Sequence, residues 1–413
     1  MVVPVSSRRC QTRGAAGATL ATAVLAAVLA AACGGSDSGS AGDPAAGAPP
    51  ASAVAAPQTQ PAEEAPLGGP VAVTVQEVTS RLTAPWSLAF LPDGSMLVTE
   101  KAGNLRRVSA AGEVSAPLGG VPAVYASGQG GLLDVVPGPG FATDSMIYFT
   151  FAEDAGNGES RAAVARARLG TSAISEVTVI FRQAPSRPGG MHYGSRLVFD
   201  REGYLFITLG ERNQPDRAQD LTGTQGKVVR IQADGSIPAG NPRFATPAAA
   251  PGIWSYGHRN PQGAALNPAS GALWISEHGP RGGDEINRIL PGGNFGWPRI
   301  TNGRDYDTGL PFGDGTTAPD VEGPLHYWVP VSVAPAGMAF YTGDKLPGWQ
   351  GSLLVATLAG QMLARLALDG DAVVGETRHL ESLGERLRDV RQGPDGYPYL
   401  LTDSGRLLRV VPQ

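Results

Sequence analysis

Trp86-Ser-Leu-Ala-Phe-Leu-Pro-Asp-Gly-Ser-Met-Leu-Val-Thr-Glu100, followed by Asn104-Leu-Arg-Arg-Val108, holds one complete structural unit. It reads as an apolar strand, a Pro-Asp-Gly turn, a second apolar strand, a short gap and a third strand carrying arginine. Proline presets φ at the turn and glycine accepts the positive φ of a tight reversal, so the two apolar runs fold back on each other. The unit recurs in Arg196-Leu-Val-Phe-Asp-Arg-Glu-Gly-Tyr-Leu-Phe-Ile-Thr-Leu-Gly210, followed by Lys227-Val-Val-Arg-Ile231. It recurs in Ala265-Leu-Asn-Pro-Ala-Ser-Gly-Ala-Leu-Trp-Ile-Ser-Glu277, followed by Glu285-Ile-Asn-Arg-Ile289. A last clear copy is Val390-Arg-Gln-Gly-Pro-Asp-Gly-Tyr-Pro-Tyr-Leu-Leu-Thr-Asp403, followed by Arg406-Leu-Leu-Arg-Val410.

Two looser copies fill the gaps. One runs from Gly131 through Met146-Ile-Tyr-Phe-Thr-Phe151 to Ala163-Val-Ala-Arg-Ala167, the other from Gly337-Met-Ala-Phe340 through Ser352-Leu-Leu-Val-Ala356 to Leu363-Ala-Arg-Leu366. About six units of roughly four strands, several tens of residues apart, are the signature of propeller blades. The expected fold is all-β: a six-bladed β-propeller with four-stranded antiparallel blades. A β-sandwich would explain the strands but not the recurring turn unit. The final copy shows only about three strands, so Val71 to Val78 is expected to supply its outer strand and close the ring.

The chain has 413 residues and a net charge of -5, with no cluster of Lys or Arg, which argues against a nucleic-acid partner. Its beginning is of a different kind. Arg8, Arg9 and Arg13 precede an apolar, Ala-rich run from Ala15 to Ala32 that ends in Ala-Ala-Ala-Cys33-Gly-Gly-Ser. That pattern reads as a lipoprotein signal over residues 1–33, with Cys33 the lipid attachment point to a membrane; an uncleaved membrane anchor is the alternative. Residues 34–70 are Ala, Gly, Pro and Ser with almost no large apolar side chains, the composition of a disordered tether. Residues 71–413 form the propeller domain. Cys10 and Cys33 are the only cysteines, so this domain has no disulfide although an exported compartment would permit one. The expected location is therefore the periplasm or cell envelope.

The unusual residues lie between the strands: Gly128-Gln-Gly-Gly-Leu-Leu133, Pro188-Gly-Gly-Met-His-Tyr-Gly-Ser-Arg-Leu197, Tyr256-Gly-His-Arg-Asn-Pro-Gln-Gly263 and Glu277-His-Gly-Pro-Arg-Gly-Gly-Asp-Glu-Ile-Asn287. Each adjoins a repeat strand at an equivalent point, so they should converge on one face. His192 is flanked by glycines that let backbone approach a ligand. It reads either as a general base for a substrate hydroxyl or as a loop histidine bonded to nearby backbone. Arg259, Arg386 and Arg388 suit a ligand with several carboxylates, or are ordinary solvated charges. No H-E-x-x-H, paired-cysteine, G-x-S-x-G or phosphate-loop pattern is present, so transition-metal, serine-hydrolase and nucleotide chemistry lack support.

Together these segments, with Gly292-Gly-Asn-Phe-Gly-Trp-Pro298 and Leu387-Arg-Asp-Val-Arg-Gln-Gly-Pro-Asp-Gly396, resemble the glucose/sorbosone dehydrogenase family, specifically its soluble aldose sugar dehydrogenases, from about Val73 to Pro412. The resemblance implies an oxidoreductase that holds pyrroloquinoline quinone across the channel mouth and oxidises aldoses at C1 to lactones by hydride transfer. It implies His192 as general base and Arg259 beside the reacting quinone oxygen. Gln129, Arg212, Asn260, Arg386 and Arg388 fall on cofactor-contact positions. It places the carbonyls of Gly279 and Pro280 on a calcium ion at the cofactor, and Glu285 and Asp305 on a second, structural calcium. An unidentified quinone or cytochrome would accept the electrons.

Three positions depart from the family pattern: Phe295 stands at a third position of the second calcium site, Met191 where some members place an acid before the histidine, and Ala359 where glucose-active members carry a cofactor-binding lysine. Competing readings are sorbosone or another aldehyde as substrate, a calcium-dependent lactonase on a similar propeller, and a cofactor-free propeller serving as a binding module.

Overall fold

The computed structural model describes residues 71–413; the expected signal segment, Cys33 and the tether lie outside the described residues. Strand follows strand in six antiparallel sheets. Blade 1 is Pro85–Phe90, Met96–Glu100 and Asn104–Val108. Blade 2 is Leu132–Pro137, Met146–Gly156, Glu159–Leu169 and Ile174–Arg182. Blade 3 is Gly194–Phe199, Leu205–Leu209, Lys227–Ile231 and Ile253–Tyr256. Blade 4 is Pro261–Leu266, Leu273–Glu277, Asp284–Arg288 and His326–Trp328. Blade 5 is Pro335–Phe340, Leu353–Thr357, Leu363–Asp369 and Ala372–His379. Blade 6 is Leu387–Gln392, Pro398–Thr402 and Leu407–Pro412, completed by Val73–Thr79 from the other end of the domain. That strand pairs Val73 with Pro412 and Val75 with Val410, so the expected ring closure is present.

The first strand of each blade packs on that of the next, and the sixth returns to the first. Blade 1 departs from the expected four strands. Beyond Val108 the chain makes only isolated bridges, Val108 to Val114 and Gly119 to Ala173, and runs irregularly through Ala116-Pro117 and Val121-Pro122. Proline has no N–H to give to a ladder, so a fourth strand cannot propagate there. Elsewhere the turn chemistry read from the sequence holds. Gly94 has φ +80°, and Asp93 Oδ1 accepts the Ser95 N–H across the turn.

All six first strands carry a register shift at or near their start. In three blades a threonine of the second strand fills the gap: Thr99 accepts from Ser87 N, Thr150 from Asp134 N and Thr208 from Arg196 N, at 3.0, 2.8 and 3.0 Å. The same hydroxyls then donate onward into the next blade, Thr99 to Leu133 O and Thr150 to Ser195 O. Ser276 likewise donates to Ala336 O. The repeated Thr or Ser at this point of the unit is thus a latch between blades.

Apolar clusters wedge between successive blades, such as Leu97, Leu105, Leu132 and Phe149 between blades 1 and 2, and Trp274, Met338, Val355 and Leu366 between blades 4 and 5. Each such side chain contributes about 1.5–3 kcal/mol on burial. At the axis the character changes. Arg196 Nη1 lies 3.1 Å from Asp134 and 3.3 Å from Asp389, and Arg391 lies 3.4 and 3.2 Å from the same two carboxylates. Ser87 donates to Asp134, Leu88 N to Asp389, Arg196 Nε to the Gln262 carbonyl, and a side chain on Gly337 would collide with Asp389. Every blade therefore meets this charge-neutral quartet, in which Arg196, Asp134 and Asp389 are buried and Arg391 is partly exposed. Arg196→Met leaves two carboxylates short of compensation. It is expected to cost roughly 3–5 kcal/mol in urea unfolding, whereas Thr150→Val costs about 1–3 kcal/mol.

Candidate functional site

The bulged starts of the first strands all open onto one end of the channel. Gln129, His192, Arg259, Asn260 and Arg386 lie on the loops leading into them, Arg388 inside such a strand, and Arg212, Gly279 and Pro280 just after second strands. Backbone there is held in conformations that L residues adopt rarely: His192, Ser195, Arg212 and Asn213 have φ of 48°, 86°, 63° and 57°. Such strain persists where the surroundings over-determine it, and it concentrates at functional sites.

His192 is buried, its side chain 5 % exposed, and its Nδ1 lies 2.6 Å from Glu211 Oε2, itself 1 % exposed. The Glu211 carboxylate also accepts the Asn213 N–H, and its backbone N–H reaches the Arg259 carbonyl at 2.9 Å. No acid precedes His192 in sequence, where Met191 stands; the acid comes instead from the end of the second strand of the same blade. A chain of hydrogen bonds continues outward. Gln129 Oε1 accepts the His192 N–H at 2.9 Å and faces Asn260 Nδ2 at 3.5 Å. Asn260 Oδ1 accepts from Gly194 N and Gln262 Nε2, and Gln262 Oε1 lies 3.4 Å from Arg388 Nη1. Residues far apart in the chain are thus brought to one end of the ring: Gln129, His192, Arg259, Asn260 and Arg388.

Beside them a cavity of about 430 Å³ is lined by Trp86, Gln129, Gln262, His278, Arg386 and Arg388, with Lys101, Asp403, Ala334 and Leu358 completing it. That size suits a small organic ligand. Asp403 binds Arg386 through Oδ2 and Arg388 through Oδ1, both at 2.9 Å, and is the single acid in a lining that carries three cations. Burial alone would raise the Asp403 carboxyl, but Arg388 and Arg386 outweigh it and hold the group below the ordinary aspartate value. Burial, and then the Arg259 and Arg388 charges, drive His278 down to about 3, so it stays neutral while its Nε2 bonds the Pro335 carbonyl at 2.9 Å.

Arg259 packs over Trp297 and donates to the Gly279 carbonyl at 2.6 Å and the His278 carbonyl at 3.1 Å, while its buried Nε has no partner. Gly279 cannot be larger: a Cβ would lie 2.3 Å from the Gly283 carbonyl. Arg212 is not turned to the large cavity. Its guanidinium lies 3.7 Å from the Tyr193 ring centroid and bonds Ser160 Oγ and the Gly189 carbonyl.

Glu285 faces Glu277 across paired strands, and both share Asn287 Nδ2. Burial, reinforced by the Glu277 charge, pushes the Glu285 carboxyl well above the ordinary range, the condition of an acid pair that a cation would relieve. Phe295 lines this pocket and stacks on His258, which bonds Glu277. Asp305 does not join Glu285. It lines neither cavity that Glu285 lines, and its Oδ1 is consumed by its own turn, accepting from Asp307 N, Thr308 N and Thr308 Oγ1. Among the described residues no group of three or more His, Cys, Asp or Glu side chains is placed to hold a metal ion.

The sequence reading missed Glu211, Glu277, Gln262, His278, Asp403 and Lys101. Their common signal is position: Lys101, Glu211, His278 and Asp403 all follow the second strand of a repeat unit at its site end.

Residues 82–409 match the family model described as glucose/sorbosone dehydrogenase. The chain is 48% identical over 350 residues to the aldose sugar dehydrogenase YliI of Escherichia coli (strain K12), covering 83% of this chain and 94% of that protein. It superposes on the apo form of the soluble aldose sugar dehydrogenase from Escherichia coli with a TM-score of 0.80 at 47% identity, covering 83% of this chain and all of that one. The PQQ-bound aldose sugar dehydrogenase from Streptomyces coelicolor superposes with a TM-score of 0.68 at 30% identity, covering 83% and 99% of the two chains.

The Asp403 ion pairs set a test. A carboxyl depressed in the folded state stabilises the fold above its unfolded pKa, and that contribution disappears as pH falls through the folded value. Asp403→Asn is expected to lose about 2 kcal/mol at pH 7, the scale of hydrogen bonds to charged groups. Denaturation midpoints of the two proteins should converge as pH falls below about 4.

Proposed function

Because the chain belongs to the glucose/sorbosone dehydrogenase family, we propose that it oxidises aldose sugars at C1 to the lactone, with pyrroloquinoline quinone as hydride acceptor and His192 as general base. It is an oxidoreductase of the aldose sugar dehydrogenase type. The observation that carries the finer reading is the buried His192–Glu211 pair, joined by hydrogen bonds to Gln129, Asn260 and Arg388 beside a cationic cavity.

The donor set suits the quinone. Arg386, Arg388 and Lys101 outnumber the one acid of the cavity, and Arg259 keeps a buried, unpartnered Nε. When bound, pyrroloquinoline quinone supplies an acceptor for the two electrons that leave C1 with its hydrogen. The protein supplies the rest. Glu211 accepts the Nδ1 proton of His192 and so leaves Nε2 with its lone pair free. His192 Nε2 then takes the proton of the anomeric hydroxyl while the C1–O bond becomes a carbonyl. The growing positive charge on the imidazole is stabilised by Glu211, and the permanent charge of Arg259 would offer electrostatic stabilisation to the bound quinone. Gln129 fixes the backbone of His192 from the neighbouring blade.

The carbonyls of Gly279 and Pro280 would hold calcium at the cofactor; carbonyl oxygen suits this hard cation, although Gly279 also accepts from Arg259. Glu285, with Glu277 opposite, would hold a second calcium. Arg212, over Tyr193, would act at the edge of the cofactor pocket. The Cys33 lipid anchor, export to the cell envelope and a quinone or cytochrome as electron acceptor complete the reading. No helix among the described residues is long and apolar enough to cross a membrane.

Purified protein given pyrroloquinoline quinone, calcium and a panel of aldoses is expected to reduce a redox dye. His192→Ala abolishes turnover while retaining cofactor binding, and Glu211→Gln lowers kcat by about a hundredfold or more. Dye reduction that survives His192→Ala refutes the assignment of the base. Chelation is expected to lower the melting temperature of the wild type and of Asp305→Asn equally, and that of Glu285→Gln by less, because only one of the two calcium sites remains in it. Equal responses in all three would remove Glu285 from the calcium site.

A further inference from the structure

Lys101 follows the second strand of blade 1, and its backbone is pinned on both sides. Its N–H reaches the Ala84 carbonyl at 3.1 Å, and its carbonyl accepts the Leu132 N–H at 3.2 Å. A Cβ on Gly131 would collide with that same carbonyl, so blade 2 approaches here as bare backbone. The side chain lines the large cavity opposite Ala334 and Leu358 of blade 5. Its Nζ has one protein partner, the Gly128 carbonyl at 3.0 Å, and forms no ion pair among the described residues. Asp403 bonds Arg386 and Arg388 directly and acts on this ammonium only at longer range. Burial, and then the Arg388 charge, hold the lysine below its ordinary pKa against the opposing pull of Asp403.

Ala359 lies beside the same cavity. Leu358, which lines it, bonds the Ala334 carbonyl, and Ala359 N–H bonds the Val333 carbonyl next to it. Alanine there offers no charge, so the blade 5 wall is apolar and the cations of the cavity come from Lys101 of blade 1 and from Arg386 and Arg388 of blade 6.

We propose that Lys101 binds a carboxylate of the anionic cofactor from the blade 1 wall of the cavity. This rests on the proposed use of pyrroloquinoline quinone. The ammonium exchanges its bond to a neutral carbonyl for a charge-assisted one, and Arg388 and Arg386 hold other anionic groups of the same ligand. No covalent step is involved.

The test is a titration of the purified chain with pyrroloquinoline quinone in the presence of calcium, followed by cofactor absorbance and repeated over a range of salt concentrations. Lys101→Met is expected to raise Kd about tenfold or more, the worth of a charge-assisted contact in a partly enclosed site. It should also flatten the dependence of Kd on salt, because one cation has left the site. Lys101→Arg should stay within about threefold of the wild type, since it keeps the charge. Lys345→Met, a surface lysine paired with Asp344, should bind as the wild type does. Wild-type affinity in Lys101→Met overturns the proposal and leaves the proposed function standing. So does weaker binding with an unchanged salt slope, which marks a structural effect only. Absence of binding by the wild type overturns both.

Discussion

The neutral quartet of Arg196, Asp134, Asp389 and Arg391 is the constraint on which the ring depends. Apolar wedges between blades supply most of the driving force, but they are tolerant of small sliding and rotation. Buried charges are not. Each carboxylate must find its guanidinium and its backbone N–H, as Asp134 finds Leu197 N and Asp389 finds Leu88 N, or pay several kcal/mol. Because the quartet draws on the first strands of different blades, its satisfaction requires all of them at one radius. Ring closure by Val73–Thr79 is the outer counterpart of this inner tie.

The site inherits its order from that arrangement. Bulged first strands deliver their loops to one end, and the latching hydroxyls of Thr99 and Thr150 hold neighbouring strands in step beneath it. Strained residues such as His192 and Arg212 then persist, because neighbouring blades fix them from both sides: Gln129 bonds His192 N from blade 2, and Arg259 O bonds Glu211 N from the blade 3–4 loop. The cavity beside them is electropositive by construction, with a single acid already divided between two arginines.

Much of this was legible in the chain. The Pro-Asp-Gly unit announced hairpins, its recurrence announced blades, and the polar segments at equivalent points announced a common face. What escaped notice has identifiable causes. Glu211 is separated from His192 by a whole hairpin, so no local pattern links them, although their side chains meet at 2.6 Å. Asp305 has the chemistry of a cation ligand, but its short side chain satisfies its own turn first, as Asp often does in loops. Arg212 sits beside the right loop, yet the Tyr193 face and two acceptors hold it to one side. Blade 1 loses its fourth strand to prolines whose effect depends on where the strand would have had to pair.

Periodicity and turn chemistry are local properties, so the amino-acid order alone determined the repeating strands, the six units and the closed all-β ring. It also determined which residue types reach the binding end, because position within a repeat translates directly into height along a blade. Which of those groups face one another was decided only in three dimensions. Pairing between His192 and Glu211, the competition of Arg259 and any cation for the Gly279 carbonyl, and the placing of Lys101 in the cavity without a direct acid partner all depend on how the blades meet. Those distances are set by the wedges and the axial ion quartet, and no stretch of neighbouring residues encodes them.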